Sequence, residues 1–255
     1  MTEPQFIRRN HGRGHSYYLG DRKLDGVTTL ISNGLPKPAL VKWAARCAAE
    51  LAVNEWDALG EIPVADRLGR LIDAPNAMRD AAAVKGTRVH ALADQLANGE
   101  EVVVPEELAG HVESCIRFLD EWQVETMMTE TPVYHEKYLY AGTFDLIARM
   151  GGKIWLLDFK TNKSGPFGDT AFQLAAYRYA THLLDVTVGD IEPMAPVHEC
   201  GVVWLRSDGY DLYPYNVDDL VFRQFLYIQQ VARAAAECRD YRGDALTPPA
   251  REEVA

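Results

Sequence analysis

Two apolar-rich runs, Gly142–Met150 and Lys153–Lys160, are separated only by Gly151-Gly152. A two-residue Gly-Gly spacer between strand-like runs predicts a tight β-hairpin. In such a hairpin the numbers of facing residues have a constant sum, so Met150 faces Lys153, Ala148 faces Trp155 and Asp145 faces Asp158. The two carboxylates then lie across from each other with Cβ atoms about 5 Å apart. Side chains alternate along a strand, so Lys160 points to the same side as Asp158. Opposed like charges destabilise a ladder unless something offsets them, and a divalent cation does so.

Around this hairpin the pattern predicts the other elements. Ser16–Leu19 and Val27–Ile31 form a short β region with a turn at Gly20-Asp21, and Asn33-Gly34-Leu35-Pro36 breaks it. Pro38 opens a helix to about Trp56, with Lys42, Arg46 and Glu50 as a polar stripe. Residues 57–76, marked by Gly60, Pro63, Gly69 and Pro75, suggest a loop. Helices follow over Asn76–Val84 and Thr87–Ala97, the second with His90 at the edge of its apolar face. Pro105 opens a helix through Gln123 with Ile116, Leu119 and Trp122 inward, and Glu130–Tyr140 forms a strand before the hairpin. Asp169 caps a helix to about Leu184 in which Gln173 and Tyr177 share a flank. Val197–Arg206 and Tyr210–Tyr215 make a second hairpin, and a long helix runs from Asn216 to about Arg239.

Composition adds little until charge is located. Hydrophobic residues at 47% and charged residues at 25% are ordinary for a globular chain. The first ten residues have no apolar core of the secretory kind and no stretch is long and apolar enough to span a bilayer, so a cytoplasmic protein without a membrane partner is expected. The net charge of −11 argues against a polyanionic ligand. Residues 1–46, however, hold eight Lys/Arg and three acids, a basic region that suits a phosphate backbone. There Thr28, Thr29, Lys42 and Arg46 are candidate DNA-phosphate contacts, or a hydroxyl pair beside a solvated stripe. Cys47, Cys115, Cys200 and Cys238 are scattered and suit free thiols rather than a disulfide framework or a zinc knuckle.

Four ordered pieces carry a family resemblance: Gly86-Thr87-Arg88-Val89-His90, Gly142-Thr143-Phe144-Asp145, Leu156–Thr161 with its Asp158-Phe159-Lys160 triplet, and Gln173 with Tyr177. In these the chain resembles the PD-(D/E)XK nuclease superfamily, in its RecB-like and phage-type exonuclease branch, over roughly residues 86–180. The stretch from Val27 to Ala45 is also similar to the openings of phage-encoded members. The resemblance implies a restriction-endonuclease-like α/β fold: a central mixed β-sheet flanked by helices, with an N-terminal mainly helical lobe. The chain is expected to divide into a lobe over 1–85, basic at 1–46 and packed on the core, a nuclease core over 86–243 and, with Pro248-Pro249, a disordered tail over 244–255.

The same resemblance implies a DNA exonuclease of recombination or repair, or an endonuclease or single-strand nuclease of this fold. A non-catalytic DNA-binding subunit is the competing reading, and the complete Asp145/Asp158/Lys160 set speaks against it. Asp145 and Asp158 are hard oxygen ligands that suit one or two Mg²⁺ or Mn²⁺ ions. The Phe159 carbonyl and His90 are further ligands by resemblance, and an imidazole tilts the preference toward Mn²⁺. Lys160 beside the ion holds or deprotonates the attacking water, while Gln173 and Tyr177 position that water, Lys160 or the phosphate. The bland alternative is a cross-strand salt bridge between Asp145 and Lys160. Glu130 and Glu136 are nearby acids that could support a second metal but match no motif. Some relatives hold an iron–sulfur cluster through one early cysteine and a late trio; without a trio, no cluster is expected here. A single-strand annealing protein is a partner by analogy, and a homo-oligomer is compatible with the resemblance.

Overall fold

The computed structural model describes residues 5–12, 14–185 and 189–247. The chain begins with three antiparallel strands, β1 (Phe6–His11), β2 (Gly14–Leu19) and β3 (Arg22–Gly26). Their inner face buries Phe6, Tyr17 and Leu24. Val27–Ile31, expected as a strand, is the start of helix α1 (Val27–Gly34). Val27, Leu30, Ile31 and Gly34 are its buried residues, spaced i, i+3, i+4 and i+7, so a short apolar run that suited either period takes the helical one. Its partner is the C-terminal helix: a Cβ on Gly34 would lie 2.2 Å from the Ile228 carbonyl oxygen, so only glycine permits this approach.

Helix α2 (Pro38–Asn54) buries only Cys47 and is followed by the short α3 (Trp56–Gly60). Helix α4 then runs unbroken from Val64 to Ala97, through Gly69, Pro75 and Gly86. The loop expected over 57–76 and the break before Thr87 are therefore both corrected. A proline inside a helix costs about 3 kcal/mol, and packing along α2, where Ala74 is buried, offsets it. Helix α5 (Ala109–Glu121) is turned relative to expectation: Val112, Cys115 and Phe118 are buried, whereas Ile116 and Trp122 are exposed. The aromatic contacts of Phe118 with Phe159 and Tyr210 set that rotation.

Strands β4 (Glu125–His135), β5 (Tyr140–Met150) and β6 (Lys153–Lys160) form the expected antiparallel meander, but β4 lies five residues earlier than the expected Glu130–Tyr140, and Tyr140 starts β5 after a turn over residues 136–139. Gly151 and Gly152, both at positive φ, make the tight turn. Helix α6 (Thr170–Arg178) ends a turn and a half before Leu184, because His182–Leu184 pairs with β4 as β7 and His182 stacks on Tyr134. Strand β8 (Ile191–Pro193) extends that edge. Strands β9 (Glu199–Leu205) and β10 (Tyr210–Tyr215) form the second hairpin, and α7 (Asp219–Glu237), capped by Asp218, is followed by a short 3₁₀ turn over Cys238–Tyr241. The last expectation, a disordered tail over 244–255, falls largely on residues 248–255, outside the described ones.

The result is a mixed β-sheet with helices on both faces. Helices α1, α6 and α7 cover one apolar face, and α5 with the end of α4 covers the other. Leu146, Ile147, Leu156 and Leu157 are all fully buried, as strands covered on both sides require. The N-terminal strands belong to the same sheet, since Asp25 and Gly26 of β3 pair in parallel with Tyr140 and Ala141. One edge of β5 thus has two neighbours: β3 at its start and β6 from Leu146 onward. Between them, from Gly142 to Asp145, no strand pairs on that edge among the described residues.

Candidate active site

The fork in β5 holds the acidic residues. The facing pairs Met150–Lys153 and Ala148–Trp155 occur as the hairpin arithmetic predicts, but the ladder ends at Leu146–Leu157, one step before Asp145 and Asp158. There β6 peels away, and the Phe159 N–H donates 2.7 Å to Asp145 Oδ2 instead of to a backbone carbonyl. The ring of Phe159 stays in the core. Asp158 is buried; its Oδ1 accepts 2.8 Å from Gln173 Nε2, and its Oδ2 lies 2.7 Å from the Lys160 ammonium. The bland cross-strand pairing of Lys160 with Asp145 is therefore not the close contact observed. Tyr177 is buried beneath the fork with its hydroxyl 3.5 Å from Gln173 Nε2. From the other direction α4 delivers His90, whose Nδ1 is 3.4 Å from Asp145 Oδ2.

Glu130 completes the cluster and matched no motif. Its neighbours pair as Thr129–Leu146 and Thr131–Phe144, which puts Glu130 beside Asp145 in the β4–β5 register. Glu130 also has φ +42°, unusual for a residue with a Cβ and a conformation that marks functional sites when the surroundings enforce it. The signal available in the sequence was the register of β4 on β5, once the corner between them is placed at Leu139. Strands β4, β5 and β6 thus present Glu130, Asp145 and Asp158 abreast. Ligand atoms of His90, Glu130 and Asp145 all lie within 4.8 Å of one another. Two carboxylates and an imidazole at that spacing fit a divalent cation, and the donor set suits Mg²⁺ or Mn²⁺.

Charge in this pocket is poorly screened and strongly coupled. Burial pushes Glu130 up, and the Asp145 charge adds to it, bringing its carboxyl to about 7. Burial works against the charged imidazole of His90, but the adjacent Asp145 outweighs it and raises His90 to about 9. Burial also raises Asp145, yet His90 and Lys160 overcome it and hold this carboxyl below its ordinary value. Asp158 ends above its ordinary value: burial and the Asp145 charge outweigh the help of Lys160. Burial depresses Lys160, and the Asp158 and Asp145 charges more than restore it. Glu130 and Asp158, whose carboxyls are raised by burial and by the Asp145 charge, are groups that a cation would relieve.

These residues line a cleft of about 980 Å³ whose other wall is N-terminal, with Tyr17, Lys23, Thr28 and Thr29 among its members. Thr28 and Thr29 sit in the first turn of α1, not on a strand. Lys42 and Arg46 lie on the exposed face of α2 outside this lining, and Arg46 pairs with Glu50 at 2.7 Å. The structure therefore brings His90, Asp145, Asp158, Lys160, Gln173 and Tyr177 together with the two threonines, and leaves the two α2 cations apart.

No family model matches the chain, and no curated protein does. Among solved structures, it is similar to an alkaline exonuclease (LHK-Exo) from Laribacter hongkongensis at 13% identity, over 61% of this chain and 81% of that one, with a TM-score of 0.35. LHK-Exo in complex with dAMP matches at 14% identity over 86% and 90% of the two chains, with a TM-score of 0.42. SSO0001 matches at 16% identity over 84% and 75%, with a TM-score of 0.31. These likenesses are low, and the chemistry of the cleft rests on its own geometry.

Proposed function

We propose that the chain is a metal-dependent DNA exonuclease of the PD-(D/E)XK type, acting in recombination or repair. The observation that carries this reading is the packing of His90, Glu130 and Asp145 ligand atoms within 4.8 Å beside the Asp158–Lys160–Gln173 network. His90, Glu130, Asp145 and Asp158 would hold Mg²⁺ or Mn²⁺. When bound, the ion neutralises charge building on the phosphoryl oxygens and lowers the pKa of a water. Lys160 carries a positive charge into a buried site and stabilises negative charge on the phosphate. Asp158 holds that ammonium in place, and Gln173 fixes the Asp158 carboxylate by donating to Oδ1. Tyr177 backs Gln173 and keeps solvent from the underside of the site.

The test uses end-labelled linear DNA and closed circular DNA with Mg²⁺, Mn²⁺ or EDTA, with wild type and Asp158→Ala. The expected result is metal-dependent loss of linear DNA by wild type alone. Degradation in EDTA, or by Asp158→Ala at the wild-type rate, would overturn the site. Cutting of closed circles would move the assignment to an endonuclease.

A further inference from the structure

We propose that Arg8 and His15, on the inner face of the N-terminal hairpin, form a subsite for a nucleic-acid phosphate that flanks the hydrolysed one; this rests on the nuclease reading above. In the β1–β2 ladder Arg8 faces Tyr17 and Asn10 faces His15, so all four share one face of the hairpin. That face is apolar where it enters the core at Phe6 and Tyr17, and turns polar where Arg8 and His15 reach the cleft. The wall is pinned to β5: the Tyr17 hydroxyl is 2.9 Å from His15 Nε2 and 2.8 Å from Thr143 Oγ1.

Arg8 has no salt bridge among the described residues, and its Nε is buried without a hydrogen-bond acceptor. Arg9, on the opposite face, has its guanidinium over the Tyr18 ring at 4.5 Å. A buried guanidinium N–H with no acceptor is unfavourable and, in an open cleft, marks a place for an anion. The nearby acids, Glu130 and Asp145, already belong to the cation cluster. A phosphate supplies the paired oxygens that the planar guanidinium fork matches. Thr143, which anchors Tyr17, lies two residues and about 7 Å along β5 from Asp145. Arg8, His15, Glu130 and Asp145 line one cleft, so a strand held at the cation cluster passes the Arg8 guanidinium.

The ligand chemistry is a phosphate, either an internal diester or a terminal monoester. The probe is a short labelled DNA oligonucleotide, bound by the full chain in Ca²⁺ and read by anisotropy. Arg8→Ala is expected to weaken binding roughly tenfold and to lower the salt slope by about one. Arg8→Lys keeps the slope and recovers part of the affinity, and His15→Gln gives a smaller loss. Neutral methylphosphonate linkages introduced one at a time weaken wild type at one linkage beside the cleaved bond, where Arg8→Ala is insensitive. If instead only removal of the terminal phosphate equalises the two proteins, the subsite takes the end of the strand. Unchanged affinity in Arg8→Ala, or equal sensitivity of both proteins at every linkage and end, overturns the subsite.

Melting curves separate a structural role, because removing an unpaired buried donor leaves Arg8→Ala at least as stable as wild type. Should Arg8→Ala not fold, Arg8→Gln and Arg8→Lys carry the same linkage comparison. A wild type that shows the linkage pattern but cleaves nothing defeats the nuclease reading alone. One that cleaves without dependence on Arg8 defeats the subsite alone.

Discussion

The ring of Tyr177 occupies the space that a side chain on Gly142 would need: a Cβ there would sit 2.4 Å from the ring's Cε1. Gly142→Ala is therefore expected to push Tyr177 out from under the fork and destabilise the fold by about 1–3 kcal/mol, as overpacking does. The loss should be partly recovered when Gly142→Ala is combined with Tyr177→Leu, a non-additivity that chemical denaturation measures. Simple additivity would mean that the two residues do not compete for one volume.

Asp158 is buried beside Asp145, and its carboxyl is held above its ordinary value by burial and by that like charge. Asp158→Asn should cut nuclease turnover roughly a thousandfold, the several kcal/mol of charge stabilisation that a cation-holding carboxylate supports. In metal-free buffer the same variant should melt no lower than wild type, because one of two opposed charges is gone. A clear drop in melting temperature would make the Asp158–Lys160 pair structural instead.

Protons and cations compete for the same atoms. Glu130 at about 7 and His90 at about 9 must both be unprotonated to act as ligands. Between pH 7 and 9 the Mn²⁺ affinity is expected to rise about tenfold per unit, as one proton is displaced from His90; below 7 the rise steepens toward about a hundredfold. Calorimetry in two buffers of different ionisation enthalpy reads the released protons directly. Equal heats in both buffers would contradict the prediction.

His135 gives a pH dependence away from the cleft. Burial, aided by the charges of Lys137 and His182, lowers its imidazole from 6.5 to about 4, among Tyr138, Tyr140 and Phe222. Its folded pKa lies below the unfolded one, so the unfolded chain binds the extra proton. Stability from this group is complete above about 6.5 and is lost as pH falls toward 4. Acidification from pH 7 to 5 should cost on the order of 2 kcal/mol. His135→Gln should flatten that slope in denaturation curves, and an unchanged slope would assign it to other groups.

Much of the site was legible because it is local. The Gly151-Gly152 spacer sets the β5–β6 register, and parity then aligns Asp145, Asp158 and Lys160. Gln173 and Tyr177 follow from the helical spacing of α6. What escaped was set by distant partners. Val27–Ile31 becomes a helix because α7 offers it a surface, α4 survives Pro75 because α2 lies along it, and α5 takes its rotation from Phe159 and Tyr210. Glu130 enters the cluster through a backbone conformation that its own side chain disfavours, which no propensity predicts. The pairing of β3 with β5 joins residues more than a hundred positions apart, and no short-range pattern reports it.

That long-range pairing has a consequence for synthesis. The hairpin wall that carries Tyr17 is made before its docking strand and its anchor, Thr143, which follow more than a hundred residues later. At bacterial and eukaryotic translation rates the wait is on the order of ten seconds. During it the first strands have no sheet to join, while the acidic hairpin, being local, can form as soon as it emerges. The cleft therefore closes in the reverse of the order in which its walls are made, and the nascent chain reaches a complete site only when the earlier hairpin docks on the later one.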